Sequence, residues 1–276
     1  MCIRDRLAVE AIQTIALFFM IGMGVFGQGF VGKLAFPSAN VSDRIEKTFT
    51  SVNFNMMIMV IYALITIAIF GMWYYARYEG NFLPSPKKTF NPMMLMAIVI
   101  LVPGTQFAAN FIANLTGYIR PDWLQQYNEL FETSGITDTT FVTVLYSVIL
   151  APICEELIFR GVTMRCARKA LPFALANLMQ AALFGLFHLN WIQGIYAFAL
   201  GIVLGYVCEC GGSIYYSMGL HMLFNLWGTL SGFFPDPGNS VVVFVVVIVV
   251  TIVSLVAGFE LFNKGRRKLP INSTGI

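Results

Sequence analysis

The sequence predicts an all-α membrane protein, a polytopic bundle of about eight transmembrane helices with both termini cytoplasmic. Three observations lead there. Of 276 residues, 58% are hydrophobic and 11% are charged, with a mean hydropathy of +0.75, whereas a soluble domain carries about 25% charged residues. The apolar residues fall in runs close to the ~20 residues that a helix needs to cross a hydrocarbon core. Lys and Arg gather in clusters that an even number of crossings places on one side. A chain of this kind cannot cover a water-facing surface, so lipid is the solvent for most of it.

The first apolar run extends from Leu7 to Val31, interrupted by Glu10. It exceeds the ~7–15 residues of a secretory signal core and no small-residue cleavage site follows, so it reads as a retained span. Met1–Arg6 resemble translated adapter sequence and carry no weight. The second run, Phe54–Ala76, is uncharged and ends in the interfacial aromatics Trp73, Tyr74 and Tyr75. The third, Met93–Ala113, contains Pro103-Gly104, an expected kink. The polar stretch Asn114–Asp138, with Asp122, Glu129 and Glu132, leaves room for a short surface helix.

The fourth run, Thr139–Arg165, is broken once by Pro152. Ala170–Cys208 contains no Asp, Glu, Lys or Arg and is long enough for two spans, with a turn expected at Asn190–Gly194. The seventh opens after Gly211-Gly212 and closes near Phe234–Pro237; the eighth is Ser240–Phe262, rich in Val and Ile. β-Branched residues do not forbid a helix in lipid, where the backbone must bond to itself.

Basic residues fix the expected orientation. Arg77, Lys87 and Lys88 follow the second run; Arg165, Arg168 and Lys169 the fourth; Lys264, Arg266, Arg267 and Lys268 the eighth. Eight crossings put all three clusters on the cytoplasmic side of the cell (inner) membrane. Lys33, Arg44 and Lys47 then fall on the other side, a mild exception. The net charge of +3 comes without the clustered basic face that nucleic-acid binding requires, so the expected partners are the bilayer and not nucleic acid. Five cysteines, an odd number, with Cys208 and Cys210 too close for metal spacing, read as small buried hydrophobes.

One set of polar residues stands out within the runs: Glu155, Glu156 and Arg160 in the fourth, His188 in the fifth, His221 and Asn225 in the seventh. The only two histidines of the chain are among them. Each ionisable group at such depth costs ~2.5–3.5 kcal/mol on insertion scales, which favours a use over an accident. Glu156 and Arg160, four apart, share a helix face and neutralise each other. Glu155 points ~100° away, leaving it for other work. His221 and Asn225 project together, and Phe184, one turn before His188, can pack on that imidazole. Depths of about 20, 24, 12 and 18 Å for Glu155, His188, His221 and Asn225 from the cytoplasmic ends allow one shared cavity.

A carboxylate and an imidazole in a low-dielectric cavity can share a proton and activate water. A second imidazole beside a carboxamide can donate to the oxyanion formed when that water attacks an amide. Glu155-Glu156-Leu157-Ile158-Phe159-Arg160, with Gly161 after it, resembles the EExxxR motif of the CAAX-protease and bacteriocin-processing family, also called Abi or CPBP. Phe184-Gly185-Leu186-Phe187-His188 resembles its FxxxH motif, and His221-Met222-Leu223-Phe224-Asn225 its HxxxN motif. Each motif alone is weak, but order and spacing agree over roughly residues 139–262.

The resemblance implies a glutamate-dependent intramembrane endopeptidase in which Glu155 and His188 activate water and His221 and Asn225 stabilise the oxyanion. Glu156 and Arg160 would hold helix and base in place. It further implies a peptide or membrane-protein substrate, lipidated or not, and no cofactor. The chain then divides into 1–138, three spans and an extracytoplasmic loop; 139–262, a catalytic core; and 263–276, a basic cytoplasmic tail. Two alternatives stay open. Two His and a Glu form a conceivable zinc set, though no HExxH helix is present. The same fold would also serve a non-catalytic protein for immunity, scaffolding or proton relay.

Overall fold

The computed structural model describes residues 52–78, 91–134, 140–231 and 240–266. Among them every element is helical: α1 (Val52–Tyr78), α2 (Pro92–Ile119), α3 (Pro121–Ser134), α4 (Phe141–Ala167), α5 (Phe173–Phe187), α6 (Trp191–Gly211), α7 (Ile214–Ser231) and α8 (Val241–Arg266). The chain divides at Met59/Val60 into two units, and the structure below belongs to the second. The expected first span, Leu7–Val31, lies outside the described residues.

Four helices, α2, α4, α6 and α8, are long and apolar enough to cross a membrane, and the stretches Met59–Tyr75 and Phe173–Phe187 are apolar but shorter. The protein is thus an integral multi-pass membrane protein. With 15 residues, α5 reaches only ~22 Å at 1.5 Å per residue, less than the ~30 Å hydrocarbon core. The turn after it also falls earlier than expected, at His188–Asn190 instead of Asn190–Gly194. Two local causes fix it: Leu189 takes φ 52°, and the Asn190 side chain caps α6 by accepting from the Gln193 N–H at 3.1 Å.

At Pro103-Gly104, the site of the expected kink, α2 is a single continuous helix with a specific partner. The helix continues through Pro103, but Ser254 of α8 inserts into its ladder, accepting from the Gly104 N–H at 2.9 Å and donating to the Ile100 carbonyl. A side chain inserted into the ladder one residue after a proline is one of the recognised local adjustments that accompany it. Close packing of α8 on α2 follows the same line: a Cβ at Gly258 would meet Leu101, and one at Gly265 would meet Met94, each at 2.6 Å. The remaining Val and Ile of α8 are largely exposed, the side a bilayer would cover.

Basic residues mark one end of the bundle. Arg168 pairs with Glu209 at 2.9 Å, Arg266 reaches Cys210 at 3.4 Å, and Arg165 lies 5.0 Å over the Tyr74 ring. At the opposite end α3, the short helix expected in the polar stretch, lies against the α5–α6 turn, with Trp123 stacked on Trp191 at 5.4 Å. There the Arg120 guanidinium, hydrogen-bonded to Asp122 at 2.7 Å, holds that exposed carboxyl below the usual carboxylate range. The four described cysteines are free thiols.

Candidate active site

The site is built on α4, which departs twice from α-helical winding. Leu145–Leu150 and Leu157–Met164 are π-helical, flanking the α-helical turn Ala151–Glu156. Pro152 accounts for the first departure. In the wider register the Ala151 N–H bonds to the Tyr146 carbonyl, so the Ser147 carbonyl would need the N–H of residue 152, which proline lacks. Asn225 of α7 supplies that donor instead, its Nδ2 lying 2.8 Å from the Ser147 oxygen. A proline on one helix thus orients a carboxamide on another. Such π-turns frequently accompany functional sites.

Glu156 and Arg160 sit at the centre, both fully buried, with Arg160 Nη1 2.8 Å from Glu156 Oε1. The same oxygen receives His221 Nδ1 at 3.0 Å, and Arg160 Nη2 donates to the Gly201 carbonyl at 3.2 Å. One buried ion pair therefore binds α4, α6 and α7 together. Because a carboxylate only accepts, His221 Nδ1 carries a proton, and its Nε2 is turned the other way. That nitrogen meets Glu155 Oε2 at 3.6 Å. Glu156 is therefore more than a helix-holding residue: it selects the tautomer and orientation of His221.

His221, not His188, is the imidazole within ion-pair distance of Glu155. His188 lies at the C-terminal end of α5, and its Nδ1 is 2.8 Å from the Phe184 carbonyl. As the donor there, Nδ1 leaves the Nε2 lone pair of neutral His188 available for a proton. Both imidazoles lie edge-to-face on one phenyl ring: Phe184 is 4.9 Å from His188 and 5.7 Å from His221, centroid to centroid. The Arg160 guanidinium stacks on the same ring at 4.5 Å, and Phe159 closes it at 5.2 Å. The structure thus brings Glu155, Glu156, Arg160, His221 and Phe184 into direct contact. It links His188 to them through Phe184, and Asn225 through α4.

Gly161 has its own steric reason, since a Cβ there would stand 3.1 Å from Tyr74 and 3.2 Å from Ile214, within van der Waals distance. Three polar participants were not singled out by the sequence. Gln180 Nε2 donates to the Gly201 carbonyl at 2.8 Å, sharing it with Arg160, and to Asn177 Oδ1 at 2.7 Å; Asn177 Nδ2 reaches the Ile202 carbonyl at 3.0 Å. These bonds extend the network of Arg160 across α5 and α6. Asn177 and Gln180, three apart in an otherwise apolar helix, carried a readable signal; Ser147, which acts through its carbonyl, carried none. The α5–α6 pair approaches at backbone distance, since a Cβ at Gly185 would lie 2.5 Å from the Gly194 oxygen.

Chemically, the cluster combines a carboxylate, an oriented imidazole, a second imidazole with a free nitrogen and a carboxamide inside an apolar bundle. That is the equipment of a hydrolytic centre, or of a proton relay, in a membrane protein. Among the described residues no group of three or more His, Cys, Asp or Glu is disposed to hold a metal ion.

Residues 137–227 match the family model described as Type II CAAX prenyl endopeptidase Rce1-like. The match covers about a third of the chain and contains all three motifs, so the resemblance read from Glu155–Arg160, Phe184–His188 and His221–Asn225 is borne out over that segment. Neither the curated proteins nor the solved structures contain a match to the chain.

Proposed function

We propose that this protein is an intramembrane endopeptidase in which Glu155 and His188 activate a water and His221 and Asn225 stabilise the oxyanion. The reading is supported by one observation above all: a carboxylate–imidazole–carboxylate contact, Glu155–His221–Glu156, with His221 and Glu156 buried, lies in the segment that the family model matches. The Glu155 carboxylate takes a proton from water while His188 Nε2 orients it, and the hydroxide oxygen bonds to the scissile carbonyl carbon. His221 and the second Nδ2 hydrogen of Asn225 meet the developing oxyanion. The C–N bond then breaks, and the proton held by Glu155 passes to the leaving amine.

The substrate is a peptide or membrane protein in the cell membrane, lipidated or not, and both termini of the enzyme are cytoplasmic. Purified protein incubated with matched prenylated and unprenylated fluorogenic peptides provides the test. Replacing Glu155 or His188 by Ala is expected to slow cleavage at least about a thousandfold; variants that cleave like wild type would sink the reading. Loss of cleavage with a chelator, restored by zinc, would favour the metal alternative. Normal biological function in a Glu155→Ala strain would favour a non-catalytic immunity, scaffolding or relay role.

Pro152 supplies a separate expectation. Pro152→Ala restores an N–H that competes with Asn225 for the Ser147 carbonyl. A proline inside a helix costs ~3 kcal/mol, so the variant should melt no earlier than wild type. Its cleavage rate should nevertheless fall about tenfold, because an oxyanion donor has lost its anchor. Thermal unfolding and kcat on the same preparation check both halves.

A further inference from the structure

Asparagine and glutamine form a stripe on α2 that the site itself leaves unused. Gln106, Asn110 and Asn114 are spaced four apart and so share one face. Gln106 is 7% exposed, and its Oε1 has no hydrogen-bond partner among the described residues. Its Nε2 is 3.5 Å from Asn110 Oδ1, and Asn114 Nδ2 donates to the Asn110 carbonyl at 2.9 Å. Asn110 and Asn114 are exposed, toward the end of the bundle where α3 lies.

The buried end of the stripe, Gln106, faces α7 one turn from the proposed oxyanion donor. Phe107 meets Trp227 at 6.0 Å, and a Cβ at Gly228 would stand 3.9 Å from Gln106 Nε2. Asn225 precedes Gly228 by three residues, about one helical turn, and Thr229 donates to the Asn225 carbonyl at 2.9 Å. A buried amide oxygen without a partner is destabilising unless water supplies the bond, and a water needs two to four polar neighbours. Gln106 and Asn110 offer two of them, and the Thr229 hydroxyl follows Gly228 on α7.

We infer that the α2–α7 interface holds a file of water molecules running from Asn110 and Asn114 past Gln106 to Asn225, and that this file supplies the water consumed at Glu155. The inference rests on the hydrolytic reading for its purpose but not for its test. Each turnover adds the hydroxyl of one water to the acyl carbon and its protons to the products, so a site walled by lipid needs resupply.

Thiol labelling of the full-length protein in lipid nanodiscs reads the route directly. A thiol reacts as its thiolate, which apolar surroundings suppress. Gln106→Cys and Asn110→Cys should therefore react with a water-soluble maleimide about tenfold or more faster than Phe111→Cys, an exposed position next to Asn110 and nearer the helix end than Gln106. Intact-mass counting separates the new thiol from the native cysteines. If Gln106→Cys does not fold, Thr229→Cys on the facing helix carries the same reading. Labelling at Gln106→Cys and Thr229→Cys no faster than at Phe111→Cys overturns the route, even if the wild type cleaves peptides. Fast labelling in a protein that cleaves no peptide supports the route and removes the hydrolase reading instead.

Discussion

Glu155→Gln is expected to lower kcat about a thousandfold to ten-thousandfold while leaving the thermal midpoint within a degree or two of wild type. The substitution keeps size and shape and removes the carboxylate that would take the proton from water. Its structural cost should be small, since Glu155 is the less committed member of the pair. Its ion-pair partner is His221 Nε2 at 3.6 Å, beyond hydrogen-bond range, and its side chain keeps 16% exposure where Glu156 keeps none. An unchanged KM beside the reduced kcat would place the loss in the chemical step. A variant that cleaves normally, assayed with an internally quenched peptide, would exclude Glu155 as the base. A variant that unfolds would instead show that its charge holds the bundle together.

Arg160→Met should have the largest effect on stability. The guanidinium is fully buried and neutralises Glu156 at 2.8 Å; it also ties α4 to the Gly201 carbonyl and caps the Phe184 ring. Removing one member of a buried ion pair costs ~3–5 kcal/mol, because the other is left charged without compensation. The double variant Glu156→Gln, Arg160→Met should regain a large part of that loss, as a neutral pair leaves no orphaned charge. It should not regain activity, because an amide at position 156 no longer offers His221 Nδ1 the carboxylate oxygen that orients the ring. Unfolding in detergent for both single variants and the double variant measures the coupling; equal midpoints for Arg160→Met and the double variant would show that the orphaned Glu156 charge costs nothing.

Much of this protein is written in the order of its residues. In lipid a spanning segment must satisfy its own backbone, so helices followed directly from apolar run length, and α1, α2 and α4–α8 coincide with seven of the expected runs. The Glu156–Arg160 contact followed from a spacing of four, and the divergence of Glu155 from it from the ~100° step of a helix. These are local relations, set by the geometry of one helix. The tertiary structure alone decided the rest. It made Glu156 a partner of His221 as well as Arg160, seated both imidazoles on Phe184, and drew Gln180 and Asn177 into the Arg160 network. It also gave Asn225 the Ser147 carbonyl that Pro152 had released. Each of these joins residues on different helices through groups, often backbone carbonyls, that one-dimensional spacing cannot rank. Run length and period determine which faces a helix offers; only packing determines which face of which neighbour receives them.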